Sequence, residues 1–198
     1  MVRTNAPWLR SLNGDGRYGL ALVAVLALLG LIAAGGSPWL LTLRYERVGL
    51  QRGEYWRWLS AHFVHLGARH LLLDTVALVL LWSLYARELG AAGWLTVTLC
   101  SMAAIDAGLW WWTPDVQWYA GFSGLLHGLW LAGAVRSAWR LESAGLLMLV
   151  ALLGKLIYEQ QAGVSVALVG LPVVLAAHRF GAAGGLACLL YTSDAADE

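Results

Sequence analysis

The sequence predicts an all-α polytopic membrane protein, a single bundle of six transmembrane helices. Two observations carry this. Hydrophobic residues make up 60% of the 198-residue chain and charged residues only 13%, about half the usual quarter. A water-exposed domain of this size needs far more polar surface. An ordinary soluble enzyme, a disordered chain and a nucleic-acid binder working through basic patches are therefore excluded. The apolar residues are also gathered into runs long enough to cross a bilayer. The 12 Trp suit that setting, because indole rings collect at membrane interfaces. The net charge of +1 says nothing about partners beyond the lipid bilayer itself. Cys100 and Cys188 both lie in apolar runs and imply no disulfide framework.

Residues 18–43 carry no charge, and a first span is predicted over 18–35, ended by Gly35-Gly36-Ser37-Pro38. A long connection follows, with Arg44, Glu46, Arg47, Arg52, Glu54, Arg57 and Arg69. The second span is placed at 70–86. The third is placed at 92–112, closing on Trp110-Trp111-Trp112 before Thr113-Pro114. The fourth and fifth are placed at 122–139 and 143–159. Residues 160–171 read as a Gly-interrupted apolar loop, and the sixth span starts at Pro172, since proline suits the first turn of a helix. No cleavable signal peptide is read, because the first span is uncharged for too long and the chain goes on to span again. Residues 188–198 resemble a translated sequencing adapter and are set aside as a foreign tail. The membrane domain is then 1–187, the native chain is expected to continue differently after Ala187, and Cys188-Leu-Leu-Tyr191 completes the sixth helix by accident.

Arg3, Arg10 and Arg17 precede the first span, Arg87 follows the second, and Arg136 and Arg140 follow the fourth. All six share one side if the N-terminus is cytoplasmic. The five Arg of the long connection oppose this. A partly embedded loop carrying Trp56 and Trp58 need not obey the rule.

Ionisable residues inside spans are costly, so each is a functional candidate. They are His70, Asp74, Asp106, His127, Lys155, Glu159, His178 and Arg179. Ser123 joins them, flanked by Gly121 and Gly124, where backbone can approach closely. Gly124 and Gly128 on the fourth span, and Gly181 and Gly185 on the sixth, form small-xxx-small pairs that let helices pack backbone to backbone. Closing those two helices would bring the Ser123 hydroxyl to the His178 imidazole with no third residue. The bland alternative is a small packing residue and a satisfied buried histidine.

Gly121-Phe-Ser-Gly124 resembles the nucleophile motif of rhomboid intramembrane serine proteases. Ala177-His-Arg-Phe-Gly181-Ala-Ala-Gly-Gly185 resembles their His-x-x-Gly-x-x-x-Gly motif. Glu54-Tyr-Trp-Arg57, then His62, His65 and His70-Leu-Leu-Leu-Asp74, match the family's first long loop and second span. The likeness covers about residues 40–187. Trp118-Tyr119, the Leu-His-Gly after Ser123, and Lys155-Leu-Ile-Tyr-Glu159-Gln resemble the rhombosortase branch.

The resemblance implies that Ser123 attacks a peptide carbonyl, with His178 as general base and then general acid. It implies an oxyanion site from the Ser123 N–H and His70, aided by Asp74, beside Gly121. His127, one turn after Ser123, would pack on His178 or bond substrate. The implied substrates are single-span membrane proteins with a C-terminal Gly-Gly anchor, cut near the outer face of a bacterial inner membrane. No metal or organic cofactor is implied. Asp74 departs from the family's Asn: neutral, it donates a hydrogen bond; ionised, it only accepts. Arg179 is unexpected after His178, and Asp106 or Asp74 is its expected partner. Two rivals stand beside this reading. One is a zinc hydrolase or metal carrier using His62, His65, His70 and Asp74, although no HExxH is present. The other is a non-catalytic rhomboid-like protein that holds membrane clients.

Overall fold

The computed structural model describes residues 19–162 and 173–194. Helix α1 (Gly19–Ala34) is followed by the short α2 (Gly36–Leu43). The chain bends by 105° between them, so the expected end of the first span is a corner from which the helix resumes, with Pro38 in the first turn of α2. A two-residue strand β1 (Tyr45–Glu46), α3 (Arg47–Gln51), α4 (Arg57–Ser60) and a 3-10 turn (Ala61–Phe63) form the long connection. The helical segment α5 (Ala68–Ala107) is a pair of helices that meet at Gly90, and it ends in a widened, π-type turn at Gly108–Trp112. Strand β2 (Trp118–Tyr119) leads into α6 (Ser123–Trp139), then α7 (Ser143–Ala162) and α8 (Leu175–Asp194).

Among the described residues the chain is all-α apart from one ladder, β1 antiparallel to β2, pairing Tyr45 with Tyr119 and Glu46 with Trp118. Ala68–Trp112 and Ser143–Gln161 are long and apolar enough to cross a membrane. The bent α1–α2 pair is a third candidate if it counts as one span. Leucines and valines such as Leu72, Val76, Leu80, Leu146 and Val150 remain exposed on these helices, as a lipid-facing surface requires.

Several boundaries differ from the sequence reading. Between 86 and 92 the chain makes no separate loop: α5 turns back at Gly90 (φ 65°, ψ 175°), Trp94 stacking on Trp82 with ring centres 4.5 Å apart and donating to the Tyr85 carbonyl at 3.3 Å, so its two halves are the second and third helices the sequence predicts. One residue in that conformation, open to glycine, is enough to break the helix. Residues 160–162, expected in a loop, are the last turn of α7. The sixth helix starts at Leu175, and Pro172 lies outside the described residues, as do Arg3, Arg10, Arg17 and 163–171. Helix α8 runs through Asp194, and Cys188 and Leu189 are buried.

Three of the five arginines in the long connection are bonded to the protein. The Arg57 guanidinium, 6% exposed, donates to the Leu41 and Arg44 carbonyls (3.0 and 2.8 Å) and pairs with Glu54 at 2.5 Å. Arg47 donates to the Leu109 carbonyl at 2.5 Å and sits over Trp110, clamping the connection onto the end of α5. Arg44 pairs with Glu46 at 3.1 Å.

Helices α5, α6 and α8 meet through small residues. A Cβ at Gly181 would strike the Gly124 carbonyl oxygen, and one at Gly185 the Gly128 carbonyl. The matched order of contacts makes α6 and α8 parallel. On the other side Ser101 and Ile105 of α5 pack against Gly128 and Gly124, running the opposite way.

Candidate active site

Parallel packing of α6 and α8 sets their first turns side by side. Ser123 is the first residue of α6 and His178 lies in the first turn of α8. The Ser123 Oγ to His178 Nε2 distance is 2.8 Å. On the far side of the ring His178 Nδ1 lies 2.9 Å from Glu159 Oε2, and Glu159 is also bonded by Lys155 one turn earlier on α7. A carboxylate only accepts, so Nδ1 carries the proton and donates it to Glu159. Nε2 then presents a lone pair, and Ser123 O–H donates to it.

The expectation of a pair with no third residue is corrected: Glu159 completes a hydroxyl–imidazole–carboxylate chain. Glu159 is among the intramembrane candidates of the sequence, where Lys155 stands four residues before it. The i,i+4 spacing supplied a local partner and hid the distant one.

His127 stacks on His178, ring centres 4.0 Å apart and planes 12° from parallel. Its Nδ1 lies 2.7 Å from the Ser123 carbonyl oxygen and donates to it. Tyr119, fully buried beneath the site, donates its hydroxyl to the Gly121 carbonyl at 2.6 Å. Burial pushes that phenol well above its usual range, so it stays a donor. Gly121 N–H donates to the Ala61 carbonyl at 3.1 Å. Together they hold Gly121 at φ 148°, in a region side chains avoid, and a Cβ there would meet His70 Cε1 at 3.0 Å.

His70 therefore faces the serine loop across Gly121. The Leu66 N–H donates to His70 Nδ1 at 3.4 Å, which leaves the ring proton on Nε2, a donor. The Ser123 N–H, at the start of α6, has no partner within the helix. A cavity of about 280 Å³ opens over these groups, lined by His70, Ser123, His127, His178 and Glu159 and walled by Leu126 and Trp130. Its mostly apolar wall suits an apolar chain segment.

Asp74 Oδ2 lies 3.2 Å from His65 Nε2 and 3.4 Å from His70 Nε2, with a side chain 6% exposed. It is not the partner of Arg179, and neither is Asp106. Arg179 bonds Gln160 across the α7–α8 contact. Asp106 takes His62 Nε2 at 3.2 Å, fixing the 3-10 turn to α5. With His62 held by Asp106, the four residues of the rival metal reading do not converge among the described residues.

The molecule is thus a helical membrane protein with a serine–histidine–carboxylate chain opening on an apolar cavity. A rhomboid-domain family model matches residues 52–195, most of the chain. The chain belongs to the rhomboid family, whose members are generally intramembrane serine proteases. No curated protein matches the sequence.

Proposed function

We propose that the chain is an intramembrane serine endopeptidase of six spans. Ser123 is the nucleophile, His178 the general base and then acid, and Glu159 the group that orients His178. The observation that carries this is the 2.8 Å Ser123–His178 contact, continued at 2.9 Å to Glu159. A serine hydroxyl becomes nucleophilic when a correctly oriented neutral imidazole can take its proton, and the third group fixes the tautomer that does so. As Oγ attacks the scissile carbonyl, its proton moves to His178 Nε2. The resulting cation faces Glu159. The carbonyl oxygen gathers negative charge where the Ser123 N–H and the His70 Nε2–H can both donate. Collapse of the intermediate expels the amine, which takes the proton from His178. Water repeats the sequence to release the acyl group. His127 supports the imidazole from its face.

The substrates we assign are single-span proteins carrying a C-terminal Gly-Gly anchor, cut near the outer face of a bacterial inner membrane with the enzyme's N-terminus in the cytoplasm. This rests on the likeness to the rhombosortase branch. A scissile segment must leave its helix to enter the cavity, and glycine lowers the cost of unwinding by about 1 kcal/mol per residue relative to alanine.

The test is co-expression with a tagged substrate bearing such an anchor. Wild type should release the tagged ectodomain, and an Ala-Ala anchor should be cut at least tenfold more slowly. Ser123→Ala and His178→Ala should each lower cleavage by about 10³-fold or more, and the double variant should be no worse, because the pair acts as a unit. Near-wild-type cleavage by Ser123→Ala would sink the assignment. Equal cleavage of both anchors would sink the substrate class alone.

A further inference from the structure

One oxygen of Asp74 stands between two imidazoles and is committed to neither. Asp74 Oδ2 lies 3.2 Å from His65 Nε2 and 3.4 Å from His70 Nε2. The two rings meet edge to face, centres 5.3 Å apart and planes at 77°. Yet Oδ2 and both ring nitrogens of His65 are buried without a well-directed hydrogen-bond partner among the described residues. Asp74 and His70 line the cavity over Ser123. His65 lines a separate cavity of about 250 Å³ at the α1–α2 corner, beside Gly36 and Ser37.

A buried carboxylate has to be paired or protonated. Here the requirement bears on chemistry, because the substrate carbonyl turns negative beside it. A bare Asp74 would oppose that charge, and it would draw off the His70 Nε2–H that the oxyanion needs. Arg179 is bound to Gln160 and Lys155 to Glu159, so neither offsets the carboxylate. His70 has one ring proton, and the Leu66 N–H occupies its other nitrogen. His65 remains.

We infer that His65 is a positioning residue for the oxyanion site: it shares one proton with Asp74, which neutralises the carboxylate and leaves the His70 Nε2–H to the oxyanion. With its own proton on Nδ1, His65 passes the shared one between Nε2 and Asp74 Oδ2. The pair carries no net charge in either state. Loss of the shared proton puts a negative charge beside the forming oxyanion and slows attack. The other titratable groups that face Asp74 and His70 are Tyr119 from β2, whose hydroxyl is fixed on Gly121, and His178 from α8. Lys155 and Glu159 stand on α7 across the cavity, and Asp106 is held by His62. The catalytic role rests on the protease reading; the pairing does not.

The experiment measures kcat and KM across pH for His65→Gln, Asp74→Asn and the double variant, with the Gly-Gly-anchored substrate. His65→Asn replaces His65→Gln if the latter melts early. His65→Gln should lower kcat by about 10–10²-fold with KM little changed, since an amide cannot carry the shared proton. Adding Asp74→Asn should restore kcat by about tenfold or more, because no carboxylate is left to neutralise. The ratio of the double variant's kcat to that of His65→Gln should shrink as pH falls. In the single variant the carboxyl then takes its proton from solvent, and titration of His178, common to both proteins, cancels. A histidine that only fills space would give neither the rescue nor the pH dependence. Wild-type kcat in His65→Gln, or a double variant no faster than the single, overturns the inference. The pairing is also read without turnover, from the ring-nitrogen resonances of the five histidines in Ser123→Ala protein. The His65 resonances should move in Asp74→Asn, and unmoved ones overturn the inference as well. Their movement in a protein that cuts no substrate would keep the pairing and count against the protease reading.

Discussion

His178 gives its Nδ1 proton to Glu159, 2.9 Å away on a different helix and nineteen residues earlier in the chain. That contact makes the histidine a one-way acceptor toward Ser123. It also ties α7, otherwise joined to α6 by bonds such as Trp130 Nε1 to the Met148 carbonyl at 3.0 Å, to the chemistry at the head of α8.

Glu159→Gln tests this. An amide can hold the ring only by accepting at its oxygen, and it brings no charge to oppose the cation that forms on His178. Turnover should fall by about 10²–10⁴-fold with KM little changed, the signature of an interaction made chiefly in the transition state. Glu159→Asp should recover part of the loss. The strongly deshielded Nδ1–H proton resonance expected of wild type should disappear in the Gln variant. An unaltered turnover number would leave Glu159 as a partner of Lys155 and nothing more.

Asp74 makes a second prediction. Its neighbours are His65 and His70, while Arg179 is bound to Gln160. A double-mutant cycle between Asp74→Asn and Arg179→Leu should give a coupling within about 0.5 kcal/mol of zero, and the cycle with His65→Gln a coupling of about 0.5–3 kcal/mol. Rescue of Asp74→Asn by Arg179→Leu would reverse this assignment.

Glycine packing predicts a contrast between two alanines. Gly181→Ala drives a methyl into the Gly124 carbonyl and should destabilise the protein by about 1–3 kcal/mol or more while parting Ser123 from His178. Gly154→Ala, where nothing lies within 4 Å, should be neutral or stabilising by up to about 1 kcal/mol. Thermal melts of both, with cleavage assays, make the check. Equal stabilities would mean that α6 and α8 do not meet through these glycines.

The end of α8 predicts that residues 188–191 matter for length more than for identity. Cys188 and Leu189 are buried and Tyr191 is 79% exposed. Replacing the four by other apolar residues of similar size should keep the melting temperature within a few degrees. Stopping at Ala187 should lower it by far more. A foreign origin for 188–198 demands this tolerance, and strict dependence on the Tyr191 side chain would count against it.

The helices were legible because lipid imposes a simple pattern of uncharged runs. The nearness of Ser123 to His178 was legible for a related reason: four glycines at fixed spacing leave two helices little choice of contact. What escaped was every partner chosen across helices by charge. Glu159 already had Lys155 four residues away, Arg179 had two plausible acids and took an amide, and Asp106 went to a histidine in a turn the hydropathy pattern cannot place. The two helices that meet at Gly90 were legible as separate spans, but the tightness of their join was not, because one residue at positive φ leaves no mark in hydropathy. Tyr119 was seen only as a lead-in to the serine motif. Its hold on Gly121 depends on a two-residue ladder that alternation cannot reveal.

Parallel α6 and α8 share one more property. Each begins at the site, so the positive ends of two helix macrodipoles, each equivalent to about half an elementary charge, converge on the same few ångströms. An oxygen becoming negative beside Ser123 enters a field already oriented to receive it, with no reorganisation needed at the moment of reaction. The same field opposes the positive charge that must appear on His178. A protein that built the first feature without the second would favour one half of the proton transfer and penalise the other. Glu159, reaching in from α7, supplies the negative charge that lets both halves proceed.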